Sequence, residues 1–171
     1  MQSLTYLFLI LCCTQSACHG CEWIRHQFGT LSGLYLTQLD EMGGNITQQE
    51  VPVVFPEFLY ERTNDTQYVD QVRFLNETIH EITELFDENM DAVTWDKKKL
   101  GDFLILLHRQ FTNLKSCVLP ARRPDKTLKH YFKELKKVLR KMNYSAQAWE
   151  LIRKETKYHL QKLDLLVANM H

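Results

Sequence analysis

The chain has 171 residues, 25% of them charged and 44% hydrophobic, with 21 basic and 21 acidic side chains and zero formal net charge. That length suits one domain with a real core and is too short for two comfortable ones. A balanced charge excludes the overall basicity by which nucleic-acid-binding proteins hold phosphate.

The first twenty residues differ from the rest. Leu4 to Cys13 is an apolar run, and no Lys, Arg, Asp or Glu precedes Glu22. At about ten residues it is too short to span a bilayer, which takes roughly twenty. It reads as the apolar core of a secretory signal peptide over residues 1–20, followed by small residues suited to a peptidase. Cleavage after Gly20 leaves Cys21 and Cys117 as an even pair, whereas cleavage after Ser16 leaves three cysteines. The first is favoured in an oxidising compartment. A Cys21–Cys117 bridge would close a loop of about one hundred residues, worth roughly 4–5 kcal/mol in the chain-entropy model. Two free buried cysteines are the alternative. N-glycosylation sequons begin at Asn45, Asn64, Asn76 and Asn143, as expected of a secreted, extracellular chain.

From there the pattern is helical. Ile24, Phe28, Leu31, Tyr35 and Leu39 step by three and four, predicting a helix over about Glu22 to Glu41 that Gly43-Gly44 ends. A long loop follows to Phe55, and Pro56 suits the first turn of a short second helix through Glu57, Phe58 and Leu59. Val72, Leu75, Ile79, Ile82 and Phe86 form a stripe from about Thr66 to Asn89. Trp95, Leu100, Phe103, Leu107, Phe111 and Leu114 form another, ending at Cys117, with Thr94 as the expected N-cap and Asp96 in the first turn. Val118 to Pro124 is a loop carrying Arg122-Arg123. Leu128, Phe132, Leu135, Leu139 and Met142 make the next helix, with Asp125 near its start, and Asn143-Tyr144-Ser145 is a turn. Trp149, Ile152, Thr156, Leu160, Leu163 and Val167 carry the last helix. The expected fold is all-α: five main helices plus a short second one, with a long loop after the first. No stretch after the leader is long and apolar enough for a transmembrane helix.

Catalytic motifs are missing. There is no Gly-rich phosphate loop, nucleophile elbow or His-Glu-x-x-His. His80 and Glu84 sit four apart, but such a pair without further ligands is more often a solvated helix face. No enzyme activity, cofactor or metal is expected.

Two surfaces stand out instead. Residues 126–141 form a strongly basic helix in which Lys129, Lys133, Lys136, Lys137 and Arg140 recur at helical spacing. An acidic receptor surface, a glycosaminoglycan or a merely solvated face would each account for it. In the last helix, Leu151, Tyr158 and Leu165 repeat every seven residues nearly opposite the core stripe. Such a second apolar stripe means either a covering loop or a binding surface.

Ala148-Trp149-Glu150-Leu151-Ile152-Arg153-Lys154-Glu155 resembles the type I interferon signature. Trp95 to Cys117 resembles that family's fourth helix with its terminal cysteine, Phe55-Pro56 the entry to its second helix, and Leu75 to Phe86 its third. The similarity covers nearly all of residues 21–171, read as a single helical cytokine domain. Gln147 stands where many members carry cysteine, and no cysteine follows the first helix, a pattern similar to the two-cysteine (group I) fish interferons. The loop from Met42 to Phe55 has no Lys or Arg, although mammalian members use a basic residue there, and Glu50 falls near that position.

The resemblance implies a secreted antiviral cytokine that pairs two chains of a class II cytokine receptor and so activates JAK–STAT signalling. The family's contacts with one chain, carried over by position, fall on Arg153, Lys154, Lys157, Tyr158, Gln161 and Lys162. A second chain would meet the side of the second and third helices, near Asn64 and Asn76. The rival readings are another kind of helical cytokine, against which the Trp149 run argues, and an amphipathic lipid carrier, against which the many core aromatics argue.

Overall fold

The computed structural model describes residues 21–118 and 124–170. The proposed signal peptide and Arg122-Arg123 lie outside the described residues. Among those described there are six α-helices: α1 Trp23–Glu41, α2 Glu57–Asn64, α3 Tyr68–Phe86, α4 Lys97–Lys115, α5 Lys126–Lys141 and α6 Ala146–Ala168. The architecture is the expected all-α bundle, with α2 as the short helix and residues 42–56 as the long loop. None of the described helices is long and apolar enough to cross a membrane.

The helical stripes become one core. Ile24, Phe28, Tyr35 and Leu39 of α1 are fully buried, as are Leu75, Ile79 and Ile82 of α3, Phe103, Leu107 and Leu114 of α4, and Leu135 and Leu139 of α5. α1 packs on α4 and α6, and α3 packs on α4, α5 and α6, with α2 bridging α3 and α6. Burial on this scale, at about 25 cal/mol per Å² of apolar surface, is what holds a bundle of this size together. Phe86, Trp95, Phe103 and Trp149 meet at one end, with Trp95 set edge-on to Trp149 at 6.3 Å. Cys21 and Cys117 are bonded, with an S–S distance of 2.09 Å, and tie the start of α1 to the end of α4.

Side-chain caps mark the starts of the last three helices, α4, α5 and α6. Asp125 accepts from the amides of Thr127 and Leu128, and Ser145 from that of Ala148. One expectation needs correcting: Asp96, not Thr94, caps α4, accepting from Lys99 N at 2.9 Å. The Asp96 amide is itself bound to the Met42 carbonyl at 2.7 Å. That link ties the residue entering α4 to the end of α1 and leaves its carboxylate at the cap position. The turn into α6 places Asn143 and Tyr144 at φ 51° and 52°. Left-handed backbone is tolerated by Asn and uncommon for Tyr. Here the Tyr144 hydroxyl is anchored on Glu88 Oε2 at 2.8 Å.

Candidate functional site

α6 gathers the residues singled out in sequence, and its side chains reach back to α1, the long loop and α2. Arg153 departs most from expectation. An arginine on a signature helix is ordinarily exposed, but here its side chain has 0% exposure. Its Nη1 donates to the carbonyls of Leu39 at 3.1 Å and Asp40 at 3.3 Å, and its Nη2 to that of Gly44 at 2.6 Å. Nε and Nη2 also hold Glu150 Oε2, at 3.1 and 2.8 Å. The last turn of α1 contains no basic residue. Helix ends leave carbonyls without partners, and α6 supplies the missing donor from across the bundle. The Arg153 guanidinium is therefore closed to solvent and turned inward onto the chain's own carbonyls.

Gly43 is required for that approach. A Cβ there would lie 2.9 Å from Arg153 Cζ and 2.9 Å from Trp95 Cδ1. Neither neighbour has room to yield, because the guanidinium is fixed by its carbonyl partners and Trp95 by the core.

The other candidate cations are also engaged within the chain. Lys154 Nζ bonds the carbonyls of Gln48 and Gln49 at 3.4 and 3.0 Å and Glu50 Oε1 at 2.5 Å. Lys157 Nζ bonds both Asp40 carboxylate oxygens, at 2.7 and 2.8 Å. Lys162 pairs with Glu57, whose carboxylate holds the ammonium above the ordinary lysine range. Tyr158 hydroxyl donates to the other Glu57 oxygen at 3.3 Å, and its ring lies 4.3 Å from that of Phe55. Gln161 is exposed. Tyr158 is 39% exposed and Leu165 60%, whereas Leu151 is buried at 4%. The second stripe is thus split: Leu151 lies between Gln147 and Lys154, both of which hold the loop, and only its C-terminal part faces outward.

Beneath Tyr158 lies a buried polar and aromatic cluster that periodicity does not mark. His159 is fully buried, with its Nδ1 2.5 Å from Tyr60 Oη and its ring packed at tilted and edge-on angles among Phe55, Tyr131 and Phe132. Burial pushes its imidazole down to about 3, so it is neutral at physiological pH. Tyr131 donates to Glu155 Oε2 at 2.5 Å, and burial holds the Glu155 carboxyl above its ordinary range.

On α5, Lys136 and Arg140 turn toward Glu88, and Lys137 and His130 toward Glu134. Lys129 and Lys133 remain exposed. The four sequon asparagines are not alike. Asn45, Asn64 and Asn143 are exposed. Asn76 lies within α3, its Nδ2 donating to the Phe111 carbonyl at 3.2 Å, and Thr78 of the same sequon is fully buried. His80 stacks on Phe111 at 5.2 Å. No group of three or more metal-ligating side chains occurs among the described residues.

The family model for the interferon alpha/beta domain matches residues 24–170. Interferon a3 of Oncorhynchus mykiss is 61% identical over 172 residues, spanning 100% of this chain and 98% of its own. Among solved structures, zebrafish interferon 1 superposes with a TM-score of 0.78 at 38% identity, over 87% of this chain and 99% of its own. Zebrafish interferon 2, at 22% identity and a TM-score of 0.60, covers 78% of this chain and 94% of its own, and shares the fold.

Proposed function

The chain belongs to the interferon alpha/beta family, and from that premise we propose that it is secreted, binds and pairs two chains of a class II cytokine receptor, and so triggers JAK–STAT signalling and an antiviral state. As a member of this family it is a cytokine and not an enzyme. The observation that carries the receptor reading is the composite face of α6, α2 and the loop. There Tyr158 presents an exposed ring, backed by Phe55 and bordered by the Glu57–Lys162 pair, Lys157 and Gln161. An amphipathic aromatic on a rigid helix, ringed by polar groups, is the common form of an interface hot spot. Lys154 and Arg153 contribute from behind that face.

The second receptor chain would meet the side of α3 and the Asn64 end of α2, away from the Glu57 end that borders Tyr158. A glycan on Asn64 there would tune that contact. Exposed Lys129 and Lys133 on α5, which form no ion pair among the described residues, support a further contact of helix 126–141 with sulfated glycosaminoglycan. Nucleic acid has no place in this reading.

The test is an antiviral reporter in fish cells, given purified protein of residues 21–171 from outside. Reporter induction by the parent and a clear loss of potency in Tyr158→Ala support the reading. Induction that Tyr158→Ala leaves intact moves the receptor site elsewhere. Folded parent protein that induces nothing in cells answering other interferons defeats it.

A further inference from the structure

We infer that the loop after α1 is a polar strap whose first half is held by side chains of α6, and that Gln147 and Lys154 serve receptor recognition as positioning residues for it. The recognition part rests on the receptor reading above.

The two halves of the loop are held by different physics. In the second half Val51 is buried, and Phe55 stacks on Tyr60 at 5.5 Å and lies against His159 at 4.5 Å. Apolar burial fixes that half. Residues 44–50 have no such anchor: Asn45, Gln48, Gln49 and Glu50 are exposed, and Ile46 and Thr47 are half-buried. Among the described residues, 43–54 form no backbone–backbone hydrogen bond. A stretch with neither burial nor a backbone ladder takes one conformation only if side chains impose it.

Three side chains of α6 do so. Arg153 holds the Gly44 carbonyl from the interior at 2.6 Å. Gln147 Nε2 donates to Gln49 Oε1 at 2.8 Å. Lys154 bonds Gln48 O, Gln49 O and Glu50 Oε1. An ammonium has three N–H groups, and all three of those on Lys154 are occupied by its own loop. None is left to offer a partner without first releasing the loop, so Lys154 acts through the strap. Gln147 and Lys154 are seven residues apart on α6, two helical turns or about 10 Å, and both fasten the same segment of the strap, residues 48–50.

The tethers differ in exposure. Arg153 is buried, so salt does not reach its bonds. In the Lys154–Glu50 pair the side chains are 25% and 76% exposed. Added salt weakens such a pair. The strap is therefore firmly hinged at Gly44 and conditionally fastened at 48–50.

The experiment reads loop opening and recognition separately. Thermolysin cleavage between residues 45 and 54, normalised to a free peptide of the same segment, reports opening. Reporter potency reports recognition. The proteins are the parent, Glu50→Gln, Gln147→Ala and Lys154→Met. Lys154→Met is also made with Gln49→Cys/Gln147→Cys, the two thiols joined by a short bis-alkylating reagent that forms a thioether with each sulfur and releases halide. Cleavage should rise roughly three- to tenfold in Lys154→Met, and rise in the parent as salt goes from about 0.05 to 0.5 M. Potency should fall with it, and the cross-link should restore both. Unchanged cleavage in all variants overturns the strap. Faster cleavage with parental potency overturns its role in recognition. Cleavage restored by the cross-link without potency makes Lys154 a direct receptor contact. An inactive parent defeats the receptor reading instead, while the cleavage rates still decide the strap.

Discussion

Arg153 and Gly44 stand 109 residues apart in sequence, yet the guanidinium Nη2 of the first donates to the carbonyl of the second at 2.6 Å in a site closed to solvent. Together with the bonds to Leu39 and Asp40, this makes one side chain of the last helix both the C-terminal cap of the first and the hinge of the loop that follows it. Removing it strands three carbonyls. Arg153→Met should therefore destabilise the fold by about 2–4 kcal/mol, read as a lowered urea midpoint at constant slope. Gly43→Ala should cost about 1–3 kcal/mol by overpacking the same site. Parental midpoints in both variants would remove Arg153 from the structural role given to it.

His159 predicts an acid dependence with a definite sign. Its folded-state value, about 3, lies below the ordinary histidine value of 6.5, so between those limits the unfolded chain binds the extra proton. The stabilisation is complete above pH 6.5 and is lost progressively as pH falls toward 3. Glu155 opposes it: its raised carboxyl adds stability at low pH that is lost as pH rises through its folded-state value. His159→Gln should lose less stability than the parent between pH 6.5 and 4, by about 1 kcal/mol or more. Urea titrations at pH 7, 5.5 and 4 measure this. Parallel pH profiles for the two proteins would show that the buried imidazole does not govern the acid limb.

Asn76 should carry no glycan in secreted protein. Its amide nitrogen is bound to the Phe111 carbonyl between α3 and α4, and a saccharide there would break that bond and separate the helices. Asn45, Asn64 and Asn143 are exposed, and glycans on them do not disturb the packing. Peptide mapping by mass spectrometry should find modification confined to those three. A substantial glycosylated fraction at Asn76 in folded protein would contradict this account of the α3–α4 interface.

The bundle was legible because its information is local. Stripes such as Val72-Leu75-Ile79-Ile82 act within a few residues of themselves, so spacing alone reveals them. Ser145, by contrast, was legible only as part of a turn, and its capping of α6 emerges from the structure. The α4 cap was misplaced because Thr94 and Asp96 are both good capping residues two apart, and the choice between them is made by Met42 from a different part of the chain. The site was legible as a helix but not as a set of contacts. Nothing local pairs Lys154 with Glu50 or Gln147 with Gln49, which lie 104 and 98 residues away. Burial of Arg153 ran against the usual exposure of arginine. The one available signal was α1 ending without a basic residue ahead of Gly43-Gly44, leaving carbonyls in need of a donor.

The central claim is that this chain pairs two receptor chains with the Tyr158 face engaging one of them. It is tested most directly by labelling two class II cytokine receptor chains on fish cells and measuring energy transfer between them as protein is added. The account predicts a saturable rise with the parent and a rise shifted to roughly tenfold higher concentration or more with Tyr158→Ala, as for a hot-spot aromatic. No rise with folded parent protein, or identical curves for the two proteins, would contradict it.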